Sequence, residues 1–246
     1  MALPTRKNII RRIESSLPRG MPLDSGALAE LGAYPALVYH YLKAGWLERL
    51  GRGVFMFPND TLRQEDCLKF FARRVPNFHV GGKTALAWRG ILHNLPARAP
   101  LSLWGERLRL PAWFRERFPS RYTTRHPFGP KLPKEFGLQP LPDAPNGVPI
   151  SVPERALLEM LSEVGGHQGL EEARNIMEGS RSLRPEVLGT LLKHCERVKV
   201  TRLCVQWAEE LDLPWASSAR KAVAKKWGQS RWVCRLRDGK VLILKP

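Results

Sequence analysis

The chain has 246 residues, 43% of them hydrophobic, and eight Trp. That length supports one or two domains with a generous core, and the composition excludes disordered and fibrous classes. Its 40 Lys and Arg against 23 Asp and Glu give a formal charge of +17, which points to a polyanionic partner, nucleic acid ahead of an anionic membrane surface; the alternative is a solvated basic surface with no dedicated partner.

Ile9, Ile10, Ile13 and Leu17 recur at three- and four-residue spacing, predicting a helix opened by Thr5 and stopped by Pro18. Asp24 or Ser25 can cap a short helix through Leu31, ended by Gly32. Tyr34–Pro35 starts a third helix that runs through Val38 and Leu42 to Gly45. Two apolar segments then flank Arg49–Leu50–Gly51–Arg52–Gly53, the pattern of a hairpin. Helix, short helix, helix, hairpin is the order of a winged helix-turn-helix. A fourth helix is expected over residues 62–75, ended by Pro76.

The second half opens with a short strand and helix in FHVGGKTALAWRGI. A strand (LSLWGE), a short helix (LPAWFRERF) and a strand (RYTTRHPF) follow. Gly129–Pro149 contains prolines at 130, 133, 140, 142, 145 and 149 and reads as an irregular connection with hydrophobic residues interleaved. Ser151 and Pro153 launch a helix with Glu154 in its positive first turn. Amphipathic segments follow at Leu170–Met177, Pro185–Cys195 and Val198–Leu211, then a basic stretch through Trp227, and a hairpin turning at Asp238–Gly239. The fold class expected is α+β: a winged helix-turn-helix over residues 1–75, and a larger mixed α/β domain rich in helices over 76–246.

Charge is uneven along the chain. Residues 1–75 carry 12 basic and 7 acidic groups, residues 76–214 carry 19 and 15, and the last 32 carry 9 and 1. Both ends are candidates for phosphate contact. Cys67, Cys195, Cys204 and Cys234 lie far apart without C-x-x-C or a nearby His, which argues against a metal site or disulfide framework. No apolar run reaches signal-peptide or membrane-spanning length, so the expectation is a cytoplasmic protein with no membrane partner.

The major groove of B-DNA admits an α-helix whose exposed side chains reach base edges. With Val38 and Leu42 facing the core and Leu37 flanking them, Tyr34, Pro35, Ala36, Tyr39, His40 and Lys43 form the outward, DNA-facing set. Tyr41 is either core packing or part of that face. The set holds no Arg, Asn or Gln, so no operator sequence follows from it. Arg49 and Arg52 sit on or beside the wing tip, where guanidinium groups reach phosphates or the minor groove. Arg6, Lys7 and Arg11, with Arg12, can steady the first helix on the backbone. Arg220, Lys221, Lys225 and Lys226 would give a positive helix face: a second nucleic-acid contact, a docking surface for an acidic protein, or a solvated face.

The second half offers no catalytic constellation. Gly81–Gly82–Lys83–Thr84 lacks the upstream glycine of a P-loop and reads as a strand-to-helix turn. The six His form no H-x-x-x-H. Gly179–Ser180 is followed by Arg-Ser-Leu-Arg-Pro where a nucleotidyltransferase would place two carboxylates, and no predicted strand carries the E-x-K or D-x-K of a nuclease. Glu154 and Glu159, on a helix with Arg155, read as capping and solvent-paired groups. No catalytic residue, metal or cofactor is expected.

WLERLGRGVFMFP, VGGKTALAWRGI, LSLWG followed by RLPAWF, VPISVPERALLEML and EELDLPWA, in that order, resemble AbiEi-type antitoxins of type IV toxin–antitoxin systems, linked to abortive phage infection. The resemblance spans about residues 5–216. It implies a non-enzymatic repressor whose winged helix binds inverted repeats in its own promoter, and whose domain over 76–246 counters an AbiEii-like nucleotidyltransferase toxin, by direct contact or without it. It places the DNA-contacting elements on helix 34–44 and the wing at 49–53. Two other readings stand beside it: a ligand-responsive or oligomerising regulator with no toxin partner, and a nuclease fused to a winged helix.

Overall fold

A computed structural model describes residues 6–92, 99–224, 226, 232–235, 239 and 241–244. Thr5, Lys225, Trp227 and Asp238, singled out in the sequence, lie outside them, as does His93, one of the six histidines.

The first helix, α1 (Arg6–Ser16), buries Ile9, Ile10 and Ile13 and leaves its basic residues in solvent. Strand β1 (Leu23–Asp24) runs into α2 (Ser25–Glu30). Asp24 caps that helix, Oδ1 accepting from the Ala27 N–H at 2.8 Å, an arrangement worth about 1 kcal/mol. Asp24 Oδ2 also receives Arg74 at 2.6 Å. Gly32, at φ +93°, lets the chain leave α2 in the left-handed region. Helix α3 (Pro35–Lys43) starts on proline, followed by β2 (Glu48–Gly51), β3 (Val54–Met56) and α4 (Gln64–Ala72). β1 was not expected from the sequence: two residues carry no alternation, and the strand exists because Leu23 and Asp24 pair with Phe55 and Val54. The small sheet has order β1-β3-β2.

Next come β4 (His79–Val80), α5 (Gly82–Trp88), β5 (Leu101–Trp104), α6 (Ala112–Arg117) and β6 (Ser120–Thr123). Within the proline-rich connection only β7 (Leu138–Gln139) is regular, and β8 (Ile150–Ser151) follows. Helices α7 (Pro153–Glu163), α8 (Leu170–Glu178), α9 (Pro185–His194), α10 (Val198–Glu210) and α11 (Ala216–Val223) precede the hairpin β9 (Trp232–Arg235) and β10 (Val241–Leu244). The chain is α+β, a winged helix-turn-helix followed by a larger helix-rich α/β body.

Two compact units emerge: Met1–Arg74 with Arg109–Phe118, and Val75–Leu108 with Pro119–Pro246. In the first, α6 joins by aromatic packing. Trp113 stacks on Phe71 at 5.8 Å between centroids and Phe114 meets Phe71 edge-on at 5.0 Å, pairs worth about 0.5–1.5 kcal/mol each beyond their burial. In the second, a mixed five-stranded sheet of order β6-β5-β4-β8-β7 packs against α5 and α7. α7 is buried from Glu154 through Ser162 and is also contacted by α8, α9 and α10. A helix enclosed on every side must either be apolar all round or neutralise its charges internally.

Candidate nucleic-acid interface

One core cluster sets the first unit: Ile9, Ile10 and Ile13 of α1, Leu28 of α2, Leu37, Val38 and Tyr41 of α3, and Leu47, Phe55 and Phe57. Burying Leu37, Val38 and Tyr41 fixes how α3 is rotated. Tyr41, at 0% exposure, is core. Its hydroxyl donates to the Arg6 carbonyl at 2.8 Å, tying α3 to the start of α1, and burial followed by the nearby Tyr34 pushes its pKa up. Leu42, expected in the core, is only partly buried against it.

With that face committed, the opposite one stands in solvent. Tyr34 and Tyr39 are 55% and 57% exposed, unusual for large aromatics, and Pro35, Ala36 and Lys43 are exposed beside them. Lys43 Nζ lies 4.9 Å over the Tyr39 ring, one helical turn away. His40 is half-buried, its ring edge-on to Trp46 at 6.3 Å. No acidic residue occurs in α3.

The wing follows from β2 and β3. Arg49 pairs in register with Phe55, and its exposed guanidinium lies 5.7 Å over that ring. The register slips between Arg49 and Gly51, and the chain reverses through exposed Arg52 and Gly53, the latter at φ +69°. The Ser25 N–H donates to the Gly53 carbonyl at 3.1 Å, fastening the wing tip to the start of α2. The result is a helix face able to enter a groove and a cationic tip able to meet phosphates. Arg6, Lys7 and Arg11 are exposed on α1.

The C-terminal basic residues do not form one free face. Arg220 makes a bidentate pair with Glu209, at 2.7 and 2.6 Å. Lys226 Nζ donates to the carbonyls of Leu192 and Cys195, capping the end of α9, and its burial lowers its pKa. Lys221 is exposed.

Two glutamates correct the sequence reading. Glu159, expected to pair in solvent, is fully buried. Its Oε1 accepts from His79 Nε2 at 3.0 Å and Arg155 Nε at 2.9 Å, and its Oε2 from the Gly82 N–H at 3.1 Å and Ser151 Oγ at 2.8 Å. Burial pushes this carboxyl up, but His79 and Arg155 outweigh it and hold it near about 2. Glu154, 1% exposed, is held by Arg184 at 2.9 Å. The cluster also explains the glycine that caps α5, since a Cβ on Gly81 would collide with Glu159 Oε2, while Gly82, the first residue of the helix, sits at φ +51°. With both oxygens filled and no solvent access, Glu159 ties α7 to β4, β8 and α5. Lys83, the one cation of that turn, is spent on Glu172 at 2.7 Å. Among the described residues no cluster of three His, Cys, Asp or Glu has the arrangement of metal ligands, and no helix is long and apolar enough to cross a membrane.

Two family models tile the chain. Residues 6–97 match one described as transcriptional regulator, AbiEi antitoxin N-terminal domain, and residues 98–242 match one described as transcriptional regulator, AbiEi antitoxin, type IV TA system. The chain belongs to the AbiEi family. This AbiEi protein is thus a member of the transcriptional regulators of type IV toxin–antitoxin systems. Its fold is similar to that of the RV2827C protein from Mycobacterium tuberculosis, with a TM-score of 0.60 at 16% identity over 93% of this chain and 84% of that one. No curated protein matches it.

Proposed function

We propose that this AbiEi protein is a cytoplasmic, non-enzymatic repressor that binds inverted repeats in its own promoter and counteracts a nucleotidyltransferase-like toxin. The observation that carries the DNA-binding half is the solvent face of α3. Two half-exposed tyrosines and a lysine, with no acidic residue on the helix, stand opposite a face locked into the core. Tyrosine hydroxyls can donate to base edges or phosphates, and Arg49 and Arg52 of the wing supply charge for the backbone. Arg6, Lys7 and Arg11 extend that charge along α1. The toxin-opposing half rests on family membership and is assigned to residues 76–246, with or without direct contact.

Footprinting of the purified chain on the DNA upstream of its own gene tests the first half. The expected result is a protected site with two-fold symmetry; uniform, unprotected DNA would overturn it. Co-expression with a nucleotidyltransferase-like toxin encoded beside its gene tests the second: growth should be restored, and equal lethality, or no such gene, would sink the assignment.

A further inference from the structure

Helix α6 and the residues before it return to the first unit from the second half of the sequence. Buried Trp113 and Phe114 hold them there, and Trp113 lies in van der Waals reach of Gly51 in the wing, 3.4 Å from where a Cβ would stand. Between the wing and α6 is a groove of about 410 Å³. Arg52 lines it from the wing tip, and Arg109 and Arg115 line it from the other side.

Nothing in the groove balances these three cations. No Asp or Glu lines it, and none of the three forms an ion pair with a described carboxylate, whereas Arg74, Arg184 and Arg220 all close onto acids. All three are exposed. Guanidinium groups gathered without counter-charge repel one another until an anion enters, and their planar fork matches phosphate oxygens in pairs. The Trp113 indole N–H, which has no acceptor among the described residues, adds a neutral donor at the same wall.

We infer that the groove seats the phosphodiester backbone of duplex DNA alongside the wing, making Arg109 and Arg115 phosphate-binding residues of the DNA interface. The inference rests on the DNA-binding reading above and extends it to a segment remote in sequence from the winged helix. It also separates two roles in one short helix: its aromatic residues anchor it, and its arginine faces the anion.

The test is the salt dependence of binding by the full chain to a short duplex of arbitrary sequence, where affinity is nearly all electrostatic. Each lost phosphate contact lowers the slope of log K against log salt by about 0.9, so Arg109→Ala with Arg115→Ala should flatten it by about 1.8. The pair Arg109→Lys with Arg115→Lys keeps both charges and should leave the slope in place. Arg49→Ala with Arg52→Ala should flatten it independently. An unchanged slope in the Arg109/Arg115 alanine variant, with a flattened one in the Arg49/Arg52 variant, would overturn the groove and leave the wing as a DNA contact. No change in either would overturn both. Equal flattening by the lysine pair would overturn the charge-based account.

Discussion

Arg52 at the wing tip and Glu159 in the middle of α7 are both charged, and the protein treats them in opposite ways. Arg52 stands in solvent beside Arg109 and Arg115, with no carboxylate in its groove. Glu159 has lost all contact with water, and each of its oxygens accepts from two donors. Taking a carboxylate out of water costs several kcal/mol, and only a full set of donors offsets that. A charge so completely matched has no capacity left for an outside partner, whereas an unmatched exposed cation keeps all of its own. In the second unit the Glu159 cluster holds elements together; in the first, Arg74 closes onto Asp24 while Arg52, Arg109 and Arg115 are left without a described carboxylate.

The sharpest way to break this contrast is Glu159→Ala. It strands His79 and Arg155 in the interior, and removing one partner of a buried pair costs about 3–5 kcal/mol. Urea unfolding of the full chain, followed by a probe in the second unit such as Trp104 or Trp207 fluorescence, should show a loss of that size. A loss below about 1 kcal/mol, the level of an exposed pair, would mean that Glu159 is not the tie described.

A smaller effect appears in acid. The Glu159 pKa is held near about 2 in the folded chain, against about 4.3 for a free glutamate. Because the folded value is depressed, its contribution is complete above about pH 4.3 and is lost as pH falls through that value toward about 2. The Glu159→Gln variant, starting less stable, should lack this part of the acid sensitivity, so its stability should fall less steeply over that window. Parallel pH profiles for the two proteins would remove Glu159 as the group responsible.

The same contrast governs what the sequence made legible. The winged helix is local: Ile9, Ile10 and Ile13 set α1, Asp24 and Gly32 bracket α2, Pro35 opens α3, and the glycines around Arg52 turn the wing. Each signal lies within a few residues of the structure it makes, so the helices, the wing turn and most of the outward face could be read together, while the strand register and the burial of Tyr41 could not. β1 escaped because its two residues are a strand only through Phe55 and Val54. Glu159 escaped because its partners come from residues 79, 82, 151 and 155, mostly far apart in the chain, and a helical Glu beside an Arg looks the same on a surface. Arg109 and Arg115 escaped for a similar reason, since only the packing of Trp113 on Phe71 brings them to the wing. Of the C-terminal cations, Arg220 and Lys226 looked free because Glu209 and the end of α9 meet them only in the folded chain.

The finest division falls within α3, between two tyrosines two residues apart. Tyr39 is 57% exposed and touches Lys43, while Tyr41 is fully buried and bonded to the Arg6 carbonyl. Tyr39→Ala gives up an exposed cation–π contact of about 0.5–1 kcal/mol and regains part of it through the better helix propensity of alanine. Unfolding free energy should therefore move by no more than about 0.5 kcal/mol, while affinity for the footprinted site falls by about 1–3 kcal/mol if its hydroxyl reaches a base edge. The salt slope should stay put, because tyrosine carries no charge. Tyr41→Phe should do the reverse, losing about 1 kcal/mol of stability with its hydrogen bond while operator affinity, measured well below the unfolding transition, is retained. Exchanged outcomes would show that α3 meets DNA through a different face and that the core-facing assignment of Tyr41 does not decide which residues read the groove.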